Sequence, residues 1–184
     1  MEVLEQPTEL LEQFAHGELD AFETLFRQFQ GEVYRWIVRI VRDPGVSEDL
    51  TIETFWRIHR AHARFDPTRS FAAWARRIAT NVALDYLKGR QVKTASHETV
   101  LVADLPAAAS PNPAVQRDIR ERTERAFRQL PAKLQVAATL ALVEERPYQE
   151  IADALGISTG AVKLRVFRAL RLLRKKLQQL GVEP

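Results

Sequence analysis

The segment from Tyr148 to Phe167 constrains the fold more than any other part of the chain, because its pattern is typical of a helix-turn-helix. Ala152 stands where two crossing helices leave room only for a small side chain. Gly156 supplies the tight turn, since glycine adopts a positive φ at little cost. Val162, six residues later, is expected to anchor the second helix to the first.

The second helix of this motif carries charge of one sign. Ser158 or Thr159 can cap its first turn. No acidic residue occurs from Ala161 to Val182, and the same stretch contains the cations Lys163, Arg165, Arg168, Arg171, Arg174, Lys175 and Lys176. This pattern favours a helix that lies on DNA.

A helical wheel divides the second helix into two faces. The predicted core face consists of Val162, Val166, Ala169, Leu170, Leu173, Leu177 and Leu180. The opposite face and its flank carry Leu164, Arg168, Arg171, Lys175, Lys163 and Phe167. Apolar side chains ringed by arginines suit contacts with thymine methyls, guanines and phosphates. The alternative is that Leu164 and Phe167 pack on another part of the chain.

Charge is segregated along the 184 residues, although the net charge is only +3. Residues 1–26 contain acidic side chains but no lysine or arginine, so a basic DNA surface is expected at one end only. The chain has no cysteine, which excludes disulfides, thiol chemistry and a zinc finger, and is compatible with the cytoplasm. No apolar run approaches the roughly 18 residues of a membrane span, so no membrane insertion is expected.

Hydrophobic residues recur at three- and four-residue steps along most of the chain, which predicts an all-α fold. Ser47 is expected to cap one helix, and a longer helix should begin at about Ser70. The pattern fails over 91–113, where alanines and prolines cluster around a short apolar run at Val100–Val102 that can dock on a partner. We therefore predict two small helical domains, 1–90 and 114–184, joined by a flexible linker over 91–113.

Motifs in both halves of the chain resemble those of the extracytoplasmic-function (ECF) group of bacterial RNA polymerase sigma factors. The first half is similar to sigma region two, on the motifs Asp20-Ala21-Phe22, Glu48-Asp49-Leu50, Glu53-Thr54-Phe55, Phe71, Trp74, Arg77-Ile78-Ala79, Asn81 and Ala83-Leu84-Asp85. The second half is similar to region four, on Leu130-Pro131, Tyr148, Glu150-Ile151-Ala152, Leu155-Gly156-Ile157-Ser158, Gly160, Val162-Lys163, Arg165 and Arg168-Ala169. The resemblance implies a factor that binds core polymerase and reads and melts promoter DNA, without being an enzyme.

The resemblance implies a polymerase-binding surface on the helix expected from Glu48. Its partner is the pair of clamp helices of the β′ subunit, and the β subunit is a further contact. The implied residues are Asp49, Ile52, Glu53 and Trp56. Ile52 is a departure, because many family members have glutamine there. The alternative is that Asp49 and Glu53 are only acids favoured near a helix N-terminus.

Two promoter-binding sites follow from the same resemblance. Phe65 and Asn81 match positions that hold a flipped base of the minus-ten element. Arg76, Arg77 and Lys88 are expected to bind the DNA backbone beside it. For Phe65, a loop residue that packs on the core is an equal alternative. The residues implied to bind the minus-thirty-five element are Ser158, Thr159, Lys163, Leu164, Phe167, Arg168 and Arg171.

Other classes of function find less support in the sequence. His59 and His62 stand three residues apart, but no third ligand is evident, so no metal and no cofactor are expected. One rival is a stand-alone helix-turn-helix regulator that dimerises on a palindromic site. A third reading is a sigma-like interaction protein without promoter activity. The family also makes an anti-sigma factor a potential partner.

Overall fold

Helices account for the regular structure of the described chain. The computed structural model describes residues 7–94 and 113–179, and no residue within these ranges lies in a strand. The all-α prediction is confirmed. The helices are α1 (Thr8–Ala15), α2 (Leu19–Val41), α3 (Pro44–Arg60), α4 (Phe71–Thr94), α5 (Pro113–Arg128), α6 (Ala132–Ala138), α7 (Tyr148–Leu155) and α8 (Thr159–Gln179). A 3-10 turn covers His62–Arg64, and a π-helical turn over Thr139–Val143 follows α6.

The segment expected to be a linker is partly helical at its edges. Helix α4 continues past the expected boundary to Thr94, and α5 begins at Pro113. The apolar run Val100–Val102 and the rest of the expected linker lie outside the described residues, as does Leu180. The described chain forms two compact units, one of residues up to Asp85 with Ala152–Ile157, the other of Tyr86–Ile151 with the residues from Ser158 onward.

An aromatic cluster joins α1 to the start of α4 in the first unit. Phe14 of α1 is 1% exposed, and its ring lies 5.7 Å from Phe65, 5.5 Å from Phe71 and 6.1 Å from Trp74 between ring centroids. We call these four residues the aromatic cluster. Gly17, with a φ of +89°, allows the chain to turn from α1 into α2. Helix α1 therefore covers the loop that precedes α4.

A buried hydrogen bond joins α2 to α4. The indole Nε1 of Trp36 donates to Thr80 Oγ1 at 2.9 Å, and the same hydroxyl donates to the Arg76 carbonyl at 2.7 Å. Both polar groups are thus satisfied inside the core, where an unpaired donor would be costly. This bond fixes the rotation of α4, and with it the face that α4 exposes.

Helix α3 begins earlier than its sequence pattern predicts. Its N-cap is Asp43, whose carboxylate accepts a hydrogen bond from the Val46 N–H at 3.1 Å, and Pro44 follows in the first turn. Ser47 is buried within the helix, and its hydroxyl donates to the Asp43 carbonyl at 2.6 Å. The predicted Ser47 cap was wrong because proline fits the first helical position, where no intrahelical N–H is needed.

The second unit packs α5, α6 and α8 around Leu130, Ala138 and Ala169. Leu172 and Leu173 of α8 contact this core, whereas Leu170 is 46% exposed. The prediction that Leu170 faces the core was wrong, because α8 turns its Leu172 side toward its neighbours. The helical wheel predicts which side of α8 is apolar. It does not predict which edge of that apolar side the neighbouring helices cover.

Glu145, two residues after the end of the π-helical turn, has a left-handed conformation with a φ of 49°. Its neighbour Arg146 donates its N–H to the Leu140 carbonyl at 2.8 Å, which closes the turn. A non-glycine residue in this region costs about 1–2 kcal/mol. We expect Glu145→Gly to raise the free energy of unfolding by about 1 kcal/mol, measured by urea denaturation.

The neighbouring Glu144 provides a matched control, because its φ of −93° is an ordinary right-handed value. Glu144→Gly should lower the free energy of unfolding by roughly 0.5–1 kcal/mol, since glycine loses more backbone entropy on folding. If both variants changed the free energy of unfolding in the same direction, this account of the turn would be contradicted.

Candidate nucleic-acid and protein-binding surfaces

The turn before α8 has the geometry expected of a helix-turn-helix. Gly156 has a φ of +63°, and its N–H donates to the Asp153 carbonyl, while the Ile157 N–H donates to the Ala152 carbonyl at 3.0 Å. This paired pattern is a Schellman motif, and it requires a residue that tolerates a positive φ. The predicted role of Gly156 in the turn is confirmed.

Ser158 is the residue that caps α8. Its Oγ accepts a hydrogen bond from the Ala161 N–H at 3.2 Å. Thr159, the other candidate, is the first residue of the helix and is half-buried. The cap leaves the Ser158 side chain exposed at the N-terminus of the helix, where the positive end of the helix dipole favours a phosphate.

Helix α8 buries one face and exposes a basic one. Val162, Val166 and Ala169 are nearly inaccessible, as predicted. Leu164 is 47% exposed and Phe167 is 64% exposed, so neither packs into the described core. Around them lie the exposed cations Lys163, Arg168, Arg171, Arg174 and Lys175. This face combines apolar and cationic groups, as a helix in a major groove requires.

Helix α4 exposes a second row of polar residues. Arg77, Asn81 and Lys88 are all exposed, and Arg77 and Asn81 are one turn apart. Arg76 differs from them, because its Nε lies 3.1 Å from Glu32 and its guanidinium lies 5.8 Å from the centre of the Trp36 ring. The structure therefore places Arg76 in a contact between α2 and α4, away from the row that contains Asn81.

Phe65 is only 5% exposed and belongs to the aromatic cluster. Of the two interpretations left open for it, this position favours packing on the core. The loop after it is held by Asp66, which accepts hydrogen bonds from the Thr68 hydroxyl at 2.6 Å and the Thr68 N–H at 3.0 Å. These hydrogen bonds lower the pKa of Asp66, so its carboxylate stays ionised in the loop. Phe65 thus anchors the loop, whereas Asn81 faces outward.

Helix α3 presents a stripe of mixed chemistry, which we call the α3 stripe and which consists of Asp49, Ile52, Glu53, Trp56 and Arg60. Ile52 is 67% exposed and Trp56 is 54% exposed. The Arg60 guanidinium lies 4.5 Å from the centre of the Trp56 ring. All four residues that the resemblance implied for polymerase binding therefore lie on one side of one helix.

Arg57 links the α3 stripe to α4. Its Nε lies 2.7 Å from Oε1 of Glu53, and its Nη1 lies 3.2 Å from Oδ2 of Asp85 on α4. The hydrogen bond that Arg57 donates to the Glu53 carboxylate, with a smaller contribution from the one to Asp85, raises the pKa of Arg57. Arg57 and Arg60 were not among the residues predicted for this surface. Their spacing of four residues from Glu53 and Trp56 is the pattern that indicates such side-chain pairs on a helix.

No metal site emerges in the described part of the chain. Among residues 7–94 and 113–179, no group of three or more histidine, cysteine, aspartate or glutamate side chains could hold an ion. The ring centroids of His59 and His62 are 6.2 Å apart, and His62 Nδ1 bonds to the His59 carbonyl at 2.7 Å. No helix of the described residues is long and apolar enough to cross a membrane.

Comparison with known proteins identifies the chain. Residues 25–92 match Sigma-70 region 2, and residues 120–173 match Sigma-70, region 4. RNA polymerase sigma factor CarQ of Myxococcus xanthus is 35% identical over 178 residues, which cover 94% of this chain and 98% of CarQ. The chain belongs to the ECF group of RNA polymerase sigma factors. Such factors initiate transcription, and their regions 2 and 4 bind core RNA polymerase and promoter DNA.

Further comparisons cover most of this sigma factor. RNA polymerase sigma-H factor of Pseudomonas aeruginosa is 34% identical over 185 residues, which cover 96% of both proteins. The solved structure of CnrH in complex with the cytosolic domain of CnrY has the same fold, with a TM-score of 0.54 and 22% identity over 94% of this chain and 97% of that one. The sigma factor RpoE of Bartonella quintana, solved with the anti-sigma factor NepR, gives a TM-score of 0.54 at 18% identity, covering 87% of this chain and 98% of that one.

Proposed function

We propose that this sigma factor divides its work between two domains, residues 1–90 and residues 114–184, with a linker over 91–113. The first domain binds core polymerase and melts the minus-ten element, and the second reads the minus-thirty-five element. The family matches over residues 25–92 and 120–173 support this division. The factor acts without a cofactor and supplies specificity, while the polymerase carries out the chemistry. Its proposed location is the cytoplasm, on the nucleoid when it is part of holoenzyme.

The polymerase contact is proposed for the α3 stripe, whose exposure supports the assignment of Asp49, Ile52, Glu53 and Trp56 to the β′ clamp helices. Run-off transcription with purified core polymerase and a promoter library tests this function. We expect promoter-specific transcripts only when core enzyme and the chain are both present. Specific binding of the chain alone to a palindromic duplex would support a stand-alone regulator instead. An anti-sigma factor is a further proposed partner, because the structure of RpoE was solved in complex with the anti-sigma factor NepR.

The minus-ten contact is proposed for the exposed row of α4, with Asn81 as the residue that reads an extruded base. The amide can both donate and accept hydrogen bonds, which suits the Watson–Crick edge of a base. Arg77 and Lys88 are assigned to the DNA backbone next to it. Arg76 and Phe65 are held inside the domain and are proposed to support this surface from beneath.

We expect Asn81→Ala to slow promoter melting and to leave the closed complex nearly intact, because only the extruded base requires the amide. Permanganate footprinting of unpaired thymines measures melting, and gel shift measures the closed complex. Gln30→Ala, which removes an exposed amide from α2, is the matched control. Normal melting by the Asn81 variant on every promoter would refute its assignment.

A further inference from the structure

Asn81 occupies a narrow exposed strip of α4. Asn81 itself is exposed, whereas Thr80 and Val82 on either side of it are at most 2% exposed. Side chains end roughly 5–6 Å from the helix axis, so a rotation of α4 by about 10° displaces them by about 1 Å. A polar group that binds a defined ligand must be held to within about 0.5 Å. The proposed reading of a base by Asn81 therefore depends on how the rotation of α4 is fixed.

Apolar packing near Asn81 constrains this rotation only loosely. The buried residues of α4 around it include Ala75, Ala79 and Ala83, each at most 1% exposed. A methyl group forms a low ridge, which interlocks weakly with the groove of a neighbouring helix. A directional contact holds the rotation of a helix more tightly than such methyl groups do.

The hydrogen bond between Trp36 and Thr80 is a contact of this kind. The donating indole belongs to a side chain that is 2% exposed, and its Nε1 lies 2.9 Å from Thr80 Oγ1. The Thr80 hydroxyl in turn donates to the Arg76 carbonyl at 2.7 Å, so the acceptor is held by its own helix. Any rotation of α4 that broke the bond would leave a buried indole N–H without a partner, which is costly.

Arg76 makes a second contact with α2, one turn before Thr80. Its Nε lies 3.1 Å from Oε1 of Glu32, and its guanidinium lies 5.8 Å from the centre of the Trp36 ring. Glu32 and Trp36 are four residues apart and therefore adjacent on α2. Two successive turns of α4 are thus held by two successive turns of α2, and Asn81 is the next residue of α4.

We infer that Trp36 and Thr80 are positioning residues for promoter melting, because their hydrogen bond fixes the rotation of α4 at which the Asn81 side chain is exposed. The inference rests on the proposed function of Asn81. Neither Trp36 nor Thr80 contacts DNA, since both are buried. Their effect on melting passes through Asn81 and requires its amide.

A double-mutant cycle between Thr80 and Asn81 tests this inference in holoenzyme, with permanganate footprinting as the measure of each melting rate. We expect Thr80→Val to slow melting about tenfold, because it removes the hydroxyl at nearly constant volume and misplaces the amide. In the Asn81→Ala background the same change should slow melting by less than about twofold, since no amide remains to be positioned. Thr80→Ser, which keeps the hydroxyl, should restore most of the wild-type rate.

Trp36→Phe tests the same bond from the side of the donor. It keeps an aromatic ring and leaves the bond from Thr80 to the Arg76 carbonyl in place, so it decides the question even if Thr80→Val does not fold. This variant should also slow melting severalfold, with the slowing lost in the Asn81→Ala background. Ile58→Val is the matched control, because it shortens a fully buried side chain of α3 and should lower stability without slowing melting. Gel shift should show an unchanged closed complex for all of these variants.

Wild-type melting rates for Thr80→Val and Trp36→Phe would overturn the inference. Equal slowing of melting with and without the Asn81 amide would also overturn it, because the bond would then support the domain in general and not Asn81 in particular. In both of these cases Asn81→Ala alone still slows melting. Normal melting by Asn81→Ala would instead contradict the proposed function of Asn81, and the inference would fall with it.

Discussion

Replacing Phe14 with alanine should destabilise the first unit more than any other single change considered for this protein. Phe14 is 1% exposed and contacts Phe65, Phe71 and Trp74 in the aromatic cluster. Truncation of a buried phenylalanine leaves a cavity and typically costs about 3–5 kcal/mol. Urea denaturation followed by circular dichroism measures this loss in the free energy of unfolding.

Leu19→Ala is the matched control for Phe14→Ala, because Leu19 is 59% exposed near the start of α2. It should change the free energy of unfolding by no more than about 0.5 kcal/mol. The conservative Phe14→Leu should fall between the two, because it keeps part of the buried volume. A loss of less than about 1 kcal/mol for Phe14→Ala would mean that α1 does not close the aromatic cluster.

The position of Phe14 also shows that α1 packs against the helices of the Sigma-70 region 2 match. The family match begins at residue 25, beyond α1. The ring of Phe14 nevertheless lies against Phe65, so α1 holds the loop between the 3-10 turn and α4 in place. We expect Phe14 to affect promoter melting through this loop, without touching DNA itself.

Periodicity made the helices and the faces of α8 predictable from sequence. A step of 3.6 residues fixes which side chains share a face, so the burial of Val162 followed from spacing. Spacing placed Phe167 on the opposite face but left open that it packs on another part of the chain, and the structure shows it exposed. The turn at Gly156 was predictable because few residues other than glycine adopt its positive φ. These features depend on local geometry.

Features that depend on distant partners could not be predicted in the same way. Leu170 is exposed because α8 meets its neighbours on the side of Leu172. Arg76 and Arg77 are adjacent in sequence, yet only the position of Glu32 on α2 assigns Arg76 to an ion pair. For Phe65, the sequence was equally compatible with a base contact and with packing on the core. The rings of Phe14, Phe71 and Trp74, which surround it in the structure, favour packing on the core.

Arg168→Ala should lower transcription from the cognate promoter and relax the preference at one upstream base pair. Arg168 is exposed on the basic face of α8, one turn after Leu164. A bidentate arginine contact with guanine contributes about 1–3 kcal/mol of discrimination, or roughly 5- to 150-fold between bases. Selection of upstream sequences by holoenzyme carrying the variant measures this preference at each position.

Arg174→Ala provides the comparison, because Arg174 is also exposed on α8 but lies farther from its N-terminus. Recognition helices read bases near their N-terminal end, and cations farther along contact phosphate. Its loss should weaken binding evenly across sequences and reduce the salt dependence of binding. If Arg168→Ala keeps the wild-type preference at every position and only weakens binding, Arg168 is also a phosphate contact. The readout of bases would then pass to Leu164 and Phe167, whose exposed apolar surfaces can distinguish thymine by its methyl group.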